Sequence, residues 1–395
     1  MPVTFTQVPQ TYTPSDNPIM YVFAYDYYVG EYNHVFKISV SVDSVLIGTF
    51  EYFPVLNSLA KYSGYIDVSN IVKSYINKVT TDSNTILSDA ANYGNISITA
   101  NCWYSTIATD PATDQSEYAT DSSVYTFKGC LGNREFNTWS YNDYMVGASD
   151  SKFLTDNTNN VELREGDETY LQIITDTIDS KLETILYSST GSVIATDIML
   201  LTGYKITQLK YSTVLLETIF TAPQVASASY FTIQLKNSIT SAISFSELKR
   251  ININREGCFN GKNLVWLNKF GAYDSFLFTY NNILKSDIQS KSYGKRLGSF
   301  DGVTHVNNPQ DTGSLTYLKT ITDKIQIVSD WLSQVEQNFV VQVYESPLVY
   351  INELNQYENI EIENSSYQFK QAEHEELFNE IIDAKFTHSR KSINL

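Results

Sequence analysis

The sequence predicts a mainly β protein with two or three antiparallel β-sandwich-like domains and a few short helices. The 395 residues include 29 Tyr and 20 Phe but only 9 Pro, and aromatic and β-branched residues favour pleated strands. Short apolar runs are separated by polar turns along much of the chain. A chain of this length is also long for one core, which indicates more than one domain.

The first domain is expected at residues 1–148. The four apolar side chains from Phe36 to Val42 alternate with polar ones, which is the period of a strand with one face in water. The dipeptide DS at 43–44 predicts a tight turn, and VLIGTFEYF predicts the second strand of a hairpin. In GYIDVSNIVKSYIN the period becomes helical, which predicts one short helix. The runs ISITANCWYS and SVYTFKG follow as further strands of a sandwich.

The second domain is expected at residues 149–255. Residues 150–168 are rich in Asp and Asn, which is typical of a linker or a long loop. The runs TYLQIIT, LETILYSS, KITQLKY, SYFTIQLKN and FSELKRINI then recur at regular spacing. Short strands at such spacing favour a second β-sandwich.

The third domain is expected at residues 256–395, as a β-rich domain with one capped helix. NLVWLNKFGAYDSFLFT predicts two strands around a turn, and SKSYGKRLGS predicts a basic turn. Ser333 and Glu336 have the spacing of a capping box, so a helix is expected at about 333–345, before Pro347. The apolar stripe expected to be buried on this helix consists of Val335, Phe339, Val340 and Val343.

Three short motifs suggest a family. Trp-Leu-Asn at 266–268, Tyr-Asp-Ser-Phe at 273–276 and Asp-Trp-Leu at 330–332 resemble the C-terminal part of virion proteins from tailed phages that infect Bacteroidetes, including crAss-like phages. The resemblance implies a non-enzymatic structural protein of the phage tail or neck, of the ring, adaptor or hub type. It implies packing roles for five residues: Trp266, Tyr273, Asp274, Phe276 and Trp331.

The same resemblance implies a location and partners. We expect the protein in the virion after assembly in the host bacterial cytoplasm, as a sixfold or twelvefold homo-oligomeric ring next to other tail and portal proteins. The net charge of −17 argues against a nucleic-acid clamp, because phosphate binding relies on Lys and Arg. DNA is therefore expected to pass through the channel without specific binding. Residues 150–168, 358–363 and 373–376 are candidate acidic wall positions, or they only solubilise the outer surface.

Motifs of catalysis are absent from the sequence. There is no Walker lysine loop, GxSxG, HExxH or CxxC, and the four histidines do not share a ligand spacing. Asp274 is either a general acid with a raised pKa or, as we expect, an acceptor of backbone N–H groups in the turn after Gly271. The side chains of Asp150, Asp156, Asn157, Asn159, Asn160 and Glu162 offer oxygen ligands without EF-hand spacing. We expect no enzymatic activity, cofactor or metal, and a glycan-cleaving depolymerase is the weakest hypothesis.

Tyrosines supply the one binding signal. AYDYYVGEY places Tyr25, Tyr27, Tyr28 and Tyr32 within a few residues of each other. Such rings either anchor cores and subunit interfaces or stack on sugars, so a receptor- or glycan-binding virion protein is the alternative function.

The sequence shows neither a signal peptide nor an apolar run of membrane length, so no membrane insertion is expected. Cys102, Cys130 and Cys258 are expected to be reduced thiols, although a contact between the first two is left open.

Overall fold

The computed structural model confirms a mainly β fold built from antiparallel sheets with short helices. It describes residues 2–26, 28–57, 59–77, 84–147, 150–157, 160–175, 180–201, 203–238, 243–255, 261–280, 282–307, 309–310, 313–354, 356–363 and 379–391.

The chain forms two compact units. Unit 1 comprises Met1–Ile253 and Leu267–Asp274, and unit 2 comprises Asn254–Trp266 and Ser275–Leu395. The regions predicted as the first and second sandwiches thus both lie in unit 1. Unit 1 also includes a short segment of the region predicted as the third domain.

The strands of the first part of the chain are β1 Thr4–Gln7, β2 Tyr12–Pro14, β3 Met20–Asp26, β4 Tyr32–Val42, β5 Val45–Tyr52, β6 Val55–Leu56, β7 Lys61–Asp67, β8 Leu87–Asp89, β9 Tyr93–Ser105, β10 Asp114–Gln115, β11 Ala119–Phe127, β12 Asn160–Arg164, β13 Thr169–Ile174, β14 Ser180–Tyr187, β15 Val193–Leu200, β16 Ile206–Tyr211, β17 Tyr230–Asn237 and β18 Lys249–Asn254.

The remaining strands are β19 Lys262–Leu267, β20 Tyr273–Phe278, β21 Ile283–Gly294, β22 Ser299–Phe300, β23 His305–Val306, β24 Ser314–Val328, β25 Val349–Glu353, β26 Gln356–Ile362, β27 Ile381–Phe386 and β28 Arg390–Lys391. The helices are α1 Ser69–Val72, α2 Asn133–Phe136, α3 Thr213–Leu216, α4 Ala222–Ser227, α5 Gln334–Val340 and α6 Gln342–Glu345. No helix among these described residues is long and apolar enough to cross a membrane.

The first sandwich of unit 1 consists of two sheets around a shared core. One has the order β1-β3-β7-β6 and the other the order β2-β11-β9-β4-β5, with β10 on β9. The inward side chains of β4 pack against those of β3, and the rings of Phe23 and Phe36 meet edge to face with centroids 4.7 Å apart. The alternation along β4 therefore separates core from solvent as predicted.

The β4–β5 hairpin has the predicted tight turn. Val42 pairs with Val45, so Asp43 and Ser44 form a two-residue loop with φ of 48° and 68°. Positive φ at both positions is the geometry of the type I′ turn, which matches the twist of the strands it joins. Asp43 also accepts a hydrogen bond from the backbone N–H of Asn95 at 2.9 Å, which anchors the turn to β9.

The second sandwich of unit 1 has a five-stranded sheet, β12-β18-β17-β14-β15, and a three-stranded sheet, β13-β16-β8. Both contribute to one apolar core. Strands β13 and β16 are buried at every residue, including the polar side chains of Gln172, Gln208 and Lys210. Strand β8 comes from the region predicted as the first domain and pairs with β16.

The interpretation of residues 150–168 as a linker or loop is correct for residues 151–157, which have no regular secondary structure, and wrong for residues 160–164. Phe153 and Leu154 are fully buried, and β12 occupies residues 160–164. The acidic side chains at the end of the segment are buried in ion pairs: Asp167 accepts from Arg164 Nε at 2.8 Å, and Glu168 lies 2.8 Å from Lys210 Nζ. The composition of the segment predicted a solvated loop because it does not reveal that Lys210, a distant residue, pairs with Glu168.

Unit 2 is built on a sheet with the order β20-β19-β25-β26-β27-β24-β21, and β28 pairs with β24. Helices α5 and α6 pack on its core, where the rings of Trp266 and Phe339 lie 5.0 Å apart. The capping box is confirmed: Ser333 Oγ accepts from Glu336 N, and Ser333 N donates to Glu336 Oε2 at 2.9 Å. The helical stretch is not continuous, since α5 ends at Val340 and α6 begins at Gln342.

Two packing predictions in this region are wrong. Trp331 is 66% exposed, and its neighbour Leu332 is buried instead, because adjacent residues of an extended segment point to opposite sides. Val335 lies in the first turn of α5 and is exposed, whereas Gln337 is buried and donates to Glu380 Oε1 at 2.6 Å. The other three residues of the expected stripe, Phe339, Val340 and Val343, are buried as predicted.

The two tryptophans provide a matched test of this packing. We expect Trp266→Ala to lower the free energy of unfolding by about 3–5 kcal/mol, because it removes a fully buried ring from the core of unit 2. Trp331→Ala should change it by less than about 1 kcal/mol. Urea denaturation of both variants measures the difference, and equal midpoints would contradict the assignment of Trp266 to the core.

Candidate functional site

A buried polar turn in unit 1 contains part of the motif at 266–276. Asn268 Oδ1 accepts the backbone N–H groups of Phe270 and Ala272 at 2.9 and 3.0 Å. Gly271 has φ of +71°, and a Cβ there would lie 1.4 Å from the carbonyl oxygen of Lys128. The turn is therefore restricted to glycine both by its backbone conformation and by the chain packed against it.

Asp274 is held by side chains rather than by the backbone. Thr155 Oγ1 donates to its Oδ1 at 2.6 Å, and Asn268 Nδ2 donates to its Oδ2 at 2.8 Å. The expectation that Asp274 accepts backbone N–H groups of the turn is thus wrong, because Asn268 already takes them. The second bond of Asn268 Nδ2, to the carbonyl oxygen of Leu154 at 2.9 Å, extends the network.

Burial raises the pKa of Asp274 to about 7, although the hydrogen bonds from Thr155 and Asn268 partly offset this effect. A carboxyl group with this pKa resembles a general acid in its electrostatics. Asp274 is, however, only 2% exposed, so its carboxyl group does not face a solvent-filled cleft. Its hydrogen bonds therefore have a structural role within unit 1.

A pocket of about 210 Å³ lies next to this turn and is lined by aromatic and charged side chains of unit 1. Lys269 is one of its lining residues, with Nζ 2.7 Å from Glu135 Oε1 and 2.5 Å from Asp156 Oδ2. Burial lowers the pKa of Lys269, but the hydrogen bonds to the two carboxylates outweigh this and raise it. The amine is therefore a protonated ion-pair partner and not a nucleophile.

The tyrosine cluster is mostly part of the first sandwich. Tyr25 is buried and donates its hydroxyl to Glu31 Oε1 at 3.2 Å, and Tyr28 is half-buried against its ring. His34 stacks on Tyr62 with ring centroids 3.8 Å apart, and burial lowers its pKa although the bond to Glu31 opposes this. Because Tyr25 is buried, its ring cannot stack on a sugar. Tyr27 lies outside the described residues.

The oxygen-bearing side chains considered as possible metal ligands are scattered. No group of three His, Cys, Asp or Glu in the described part of the chain is arranged to hold a metal. Asp150 is exposed, Asp156 pairs with Lys269, and Glu162 accepts from Asn252 at 3.1 Å. Cys102 is buried and Cys130 exposed, both as free thiols. Asn159 and Cys258 lie outside the described residues, as does His374, one of the four histidines.

The most conspicuous surface is one that the sequence reading missed. Strands β21 and β24 pair along the whole length of β21, and every residue of β21 is exposed. Among the described residues, β27 pairs with the other edge of β24 at Lys324–Val328, and β28 pairs with that edge at Thr320 and Ile321. The segment predicted as a basic turn thus begins as strand β21 and leads into the end of a long ribbon.

We call residues 290–319 the distal arm. Within the described residues, its two strands pair only with each other, and its tip contains the small hairpin β22–β23. The arm has four basic residues, Lys291, Lys295, Arg296 and Lys319, and two acidic ones, in a chain with a net charge of −17. Its signal in the sequence was the basic run combined with the long strand pattern of SLTYLKTITDKIQIV. The exposed apolar residues of the tip are Leu297, Phe300, Val303 and Val306.

Comparisons with known proteins leave the family open. No protein-family model and no curated protein match the chain. The complex of Dpr2 Ig1-Ig2 with DIP-Theta Ig1-Ig3 shares 8% identity at a TM-score of 0.19, over 82% of this chain and 94% of that chain. Two β-glucuronidases, from Bacteroides uniformis and Parabacteroides merdae, share 9% and 11% identity at TM-scores of 0.16 and 0.14. The match covers 69% and 67% of this chain but 30% of each enzyme. Likenesses at these TM-scores transfer neither a fold nor a function.

The buried carboxyl group of Asp274 predicts a pH dependence of stability. Its folded-state pKa of about 7 lies above the ordinary value of 3.8, so the folded protein holds this proton more tightly than the unfolded chain does. The resulting stabilisation is full below pH 3.8, declines as the pH rises, and is lost above about pH 7.

We therefore expect Asp274→Asn to raise the free energy of unfolding at pH 8 by on the order of 2–4 kcal/mol. The amide carries no charge; its oxygen can accept from Asn268 Nδ2, and its nitrogen can donate to Thr155 Oγ1, which reverses the direction of that bond. Urea titrations at pH 4 to 8 should show a smaller decline than in the wild type. Asp274→Leu is the control, since it removes the charge and both bonds together. An unchanged pH profile in Asp274→Asn would show that the carboxylate is solvated.

Proposed function

We propose that this protein is a non-enzymatic structural subunit of a phage tail or neck, which forms a homo-oligomeric ring, adaptor or hub around the DNA channel. The observation that carries the proposal is the distal arm. It is a long, exposed ribbon with an apolar tip, on a scaffold of β-sheets whose charged and aromatic clusters are engaged in packing.

The energetics of the arm support a role in assembly. A two-stranded ribbon on its own is at best marginally stable in water, because it has no face on which to bury side chains. The outer edge of β21 pairs with no other described strand, and an open edge of this kind is a template for another chain. A neighbouring subunit that covers the ribbon would stabilise it.

The motifs at 266–268 and 273–276 support the proposal of a tail or neck protein among the proteins of a virion. Trp266, Tyr273 and Asp274 are buried, as expected of packing residues in motifs that resemble those of Bacteroidetes phage tail and neck proteins. Phe276 is half-buried and contacts the rings of Phe278 and Phe339. Trp331 does not share this role because its ring is exposed.

The proposed channel wall requires a revised charge assignment. Glu361 and Glu363, within the range first considered for the wall, form ion pairs with Lys385 and Lys324. Residues 373–376 lie outside the described residues. Paired carboxylates repel passing DNA less than free ones do, so the net charge of −17 is expected to act through unpaired carboxylates such as Glu358, which is exposed on β26.

Electron microscopy of the purified full-length chain, together with antibody labelling of intact virions, tests the proposed function. We expect closed rings of sixfold or twelvefold symmetry and label at the tail or neck, because head-to-tail contacts that close on themselves build a channel from one chain. Label at fibre tips together with a signal on a glycan array would favour the receptor-binding alternative. A protein that stays monomeric and is absent from the virion would contradict the proposal.

A further inference from the structure

We propose that the apolar tip of the distal arm docks into an apolar groove on unit 1 of a second copy of this chain. This inference rests on the proposed homo-oligomer and specifies the contact that joins its subunits. The binding partner of the arm is a neighbouring copy of the chain, and the binding site is one groove on that copy.

The tip exposes apolar side chains that a binding partner could bury. Val303 is 87% exposed and Phe300 68%, and Leu297 and Val306 are each more than half exposed. The tip is nevertheless ordered locally: Asp301 Oδ1 accepts the backbone N–H groups of Val303 and Thr304 at 2.8 and 2.7 Å. Apolar side chains on a preformed hairpin lose less conformational freedom on binding than those of a floppy loop.

The groove lies on the sheet β1-β3-β7-β6 of the first sandwich. It has a volume of about 410 Å³, within the range of pockets that bury a ligand. Exposed apolar side chains continue from it along the loop between β5 and β7, where Phe53 is 73% and Leu59 76% exposed. The groove itself is lined mainly by apolar and aromatic residues: Gln7, Met20, Val22, Tyr52, Val55, Ser63, Gly64 and Tyr65.

The backbone at the groove is also open to a partner. Strand β6 is only two residues long and pairs with β7 at Tyr62 and Ser63. The outer edge of β7 from Gly64 to Asp67 pairs with no described strand. A short strand of the tip, such as β22 or β23, therefore has an available edge beside the groove.

Charge favours a second copy as the occupant. The distal arm carries four basic and two acidic residues, whereas residues 1–130 carry twelve acidic and five basic ones. Two arms would repel each other, but a basic arm and the acidic first sandwich attract. Asp67 is exposed on the same strand as Tyr65 and pairs in register with Met20 of the groove, and its Oδ1 accepts the backbone N–H groups of Ile19 and Ser69.

A contact of this kind joins two different surfaces of one chain. Such heterologous contacts propagate from copy to copy and close into a ring when the rotation allows. Every copy would then both donate its arm and receive the arm of its neighbour. The arm contact would account for the association of subunits without a second type of protein.

Surface variants of the full-length chain test the contact by sedimentation velocity. We expect the double variant Phe300→Glu, Val303→Glu and the groove variant Val55→Glu each to weaken self-association roughly tenfold or more. Leu200→Glu is the matched control, since Leu200 is 71% exposed on β15 and lies outside the groove and the arm. Arg296→Glu should also weaken association and reduce its sensitivity to salt.

A photo-crosslinker placed at residue 300 identifies the contact directly. In a mixture of isotope-labelled and unlabelled copies, we expect crosslinks between tip peptides of one copy and peptides of residues 52–65 of the other. Crosslinks confined to single copies, or rings that persist in the Glu variants, would overturn this inference while leaving the proposed function standing. A wild-type chain that does not self-associate would overturn the arm contact, and its absence from virions would overturn the proposed function as well.

Discussion

The hydrogen bonds of Asn268 are the constraint on which unit 1 depends most. The chain leaves unit 1 after Ile253, returns for Leu267–Asp274 and leaves it again. Asn268 fixes the shape of the turn through the backbone N–H groups of Phe270 and Ala272. Its bond to the carbonyl oxygen of Leu154 ties the returning segment to the rest of unit 1, as does the bond from Asn92 Nδ2 to the carbonyl oxygen of Gly271. Without this segment, the hydroxyl group of Thr155 would lose its buried acceptor, and buried polar groups left without partners are costly.

The burial of this network also limits what chemistry the protein can do with it. Asp274 has the electrostatic profile often found in catalytic acids, but it is closed to solvent, and its donors come from the turn itself and from Thr155. Lys269 at the neighbouring pocket is likewise held between two carboxylates. The raised pKa of Asp274 is a consequence of its burial in the structure. Structural burial is a common cause of shifted pKa values besides catalysis.

The distal arm has the opposite physical character. Where the turn buries its polar groups, the arm exposes its apolar ones, with Phe300 and Val303 largely in contact with solvent. A ribbon of this length would be poorly stabilised by its own cross-strand pairs, so its free energy depends on what covers it. The basic residues on the arm and the acidic excess of the chain together favour a copy of the same protein.

The sequence by itself determined the features that depend on neighbours along the chain. The alternation of β4, the turn at Asp43 and Ser44, and the capping box of Ser333 and Glu336 are local patterns, and all are present. Trp266 and Tyr273 are buried, as the family resemblance implied, whereas Trp331, for which it implied the same role, is exposed. Only the tertiary structure decided which distant groups meet. Thr155 reaches Asp274 across 119 residues, and Lys210 neutralises Glu168 in a segment whose composition predicted a loop. It likewise decided that Leu332 rather than Trp331 is buried, and that the basic run at 290–299 begins in an exposed ribbon that no other described strand covers. The physical reason is that burial and pairing depend on the partners brought together by the sheets, which local sequence patterns do not specify.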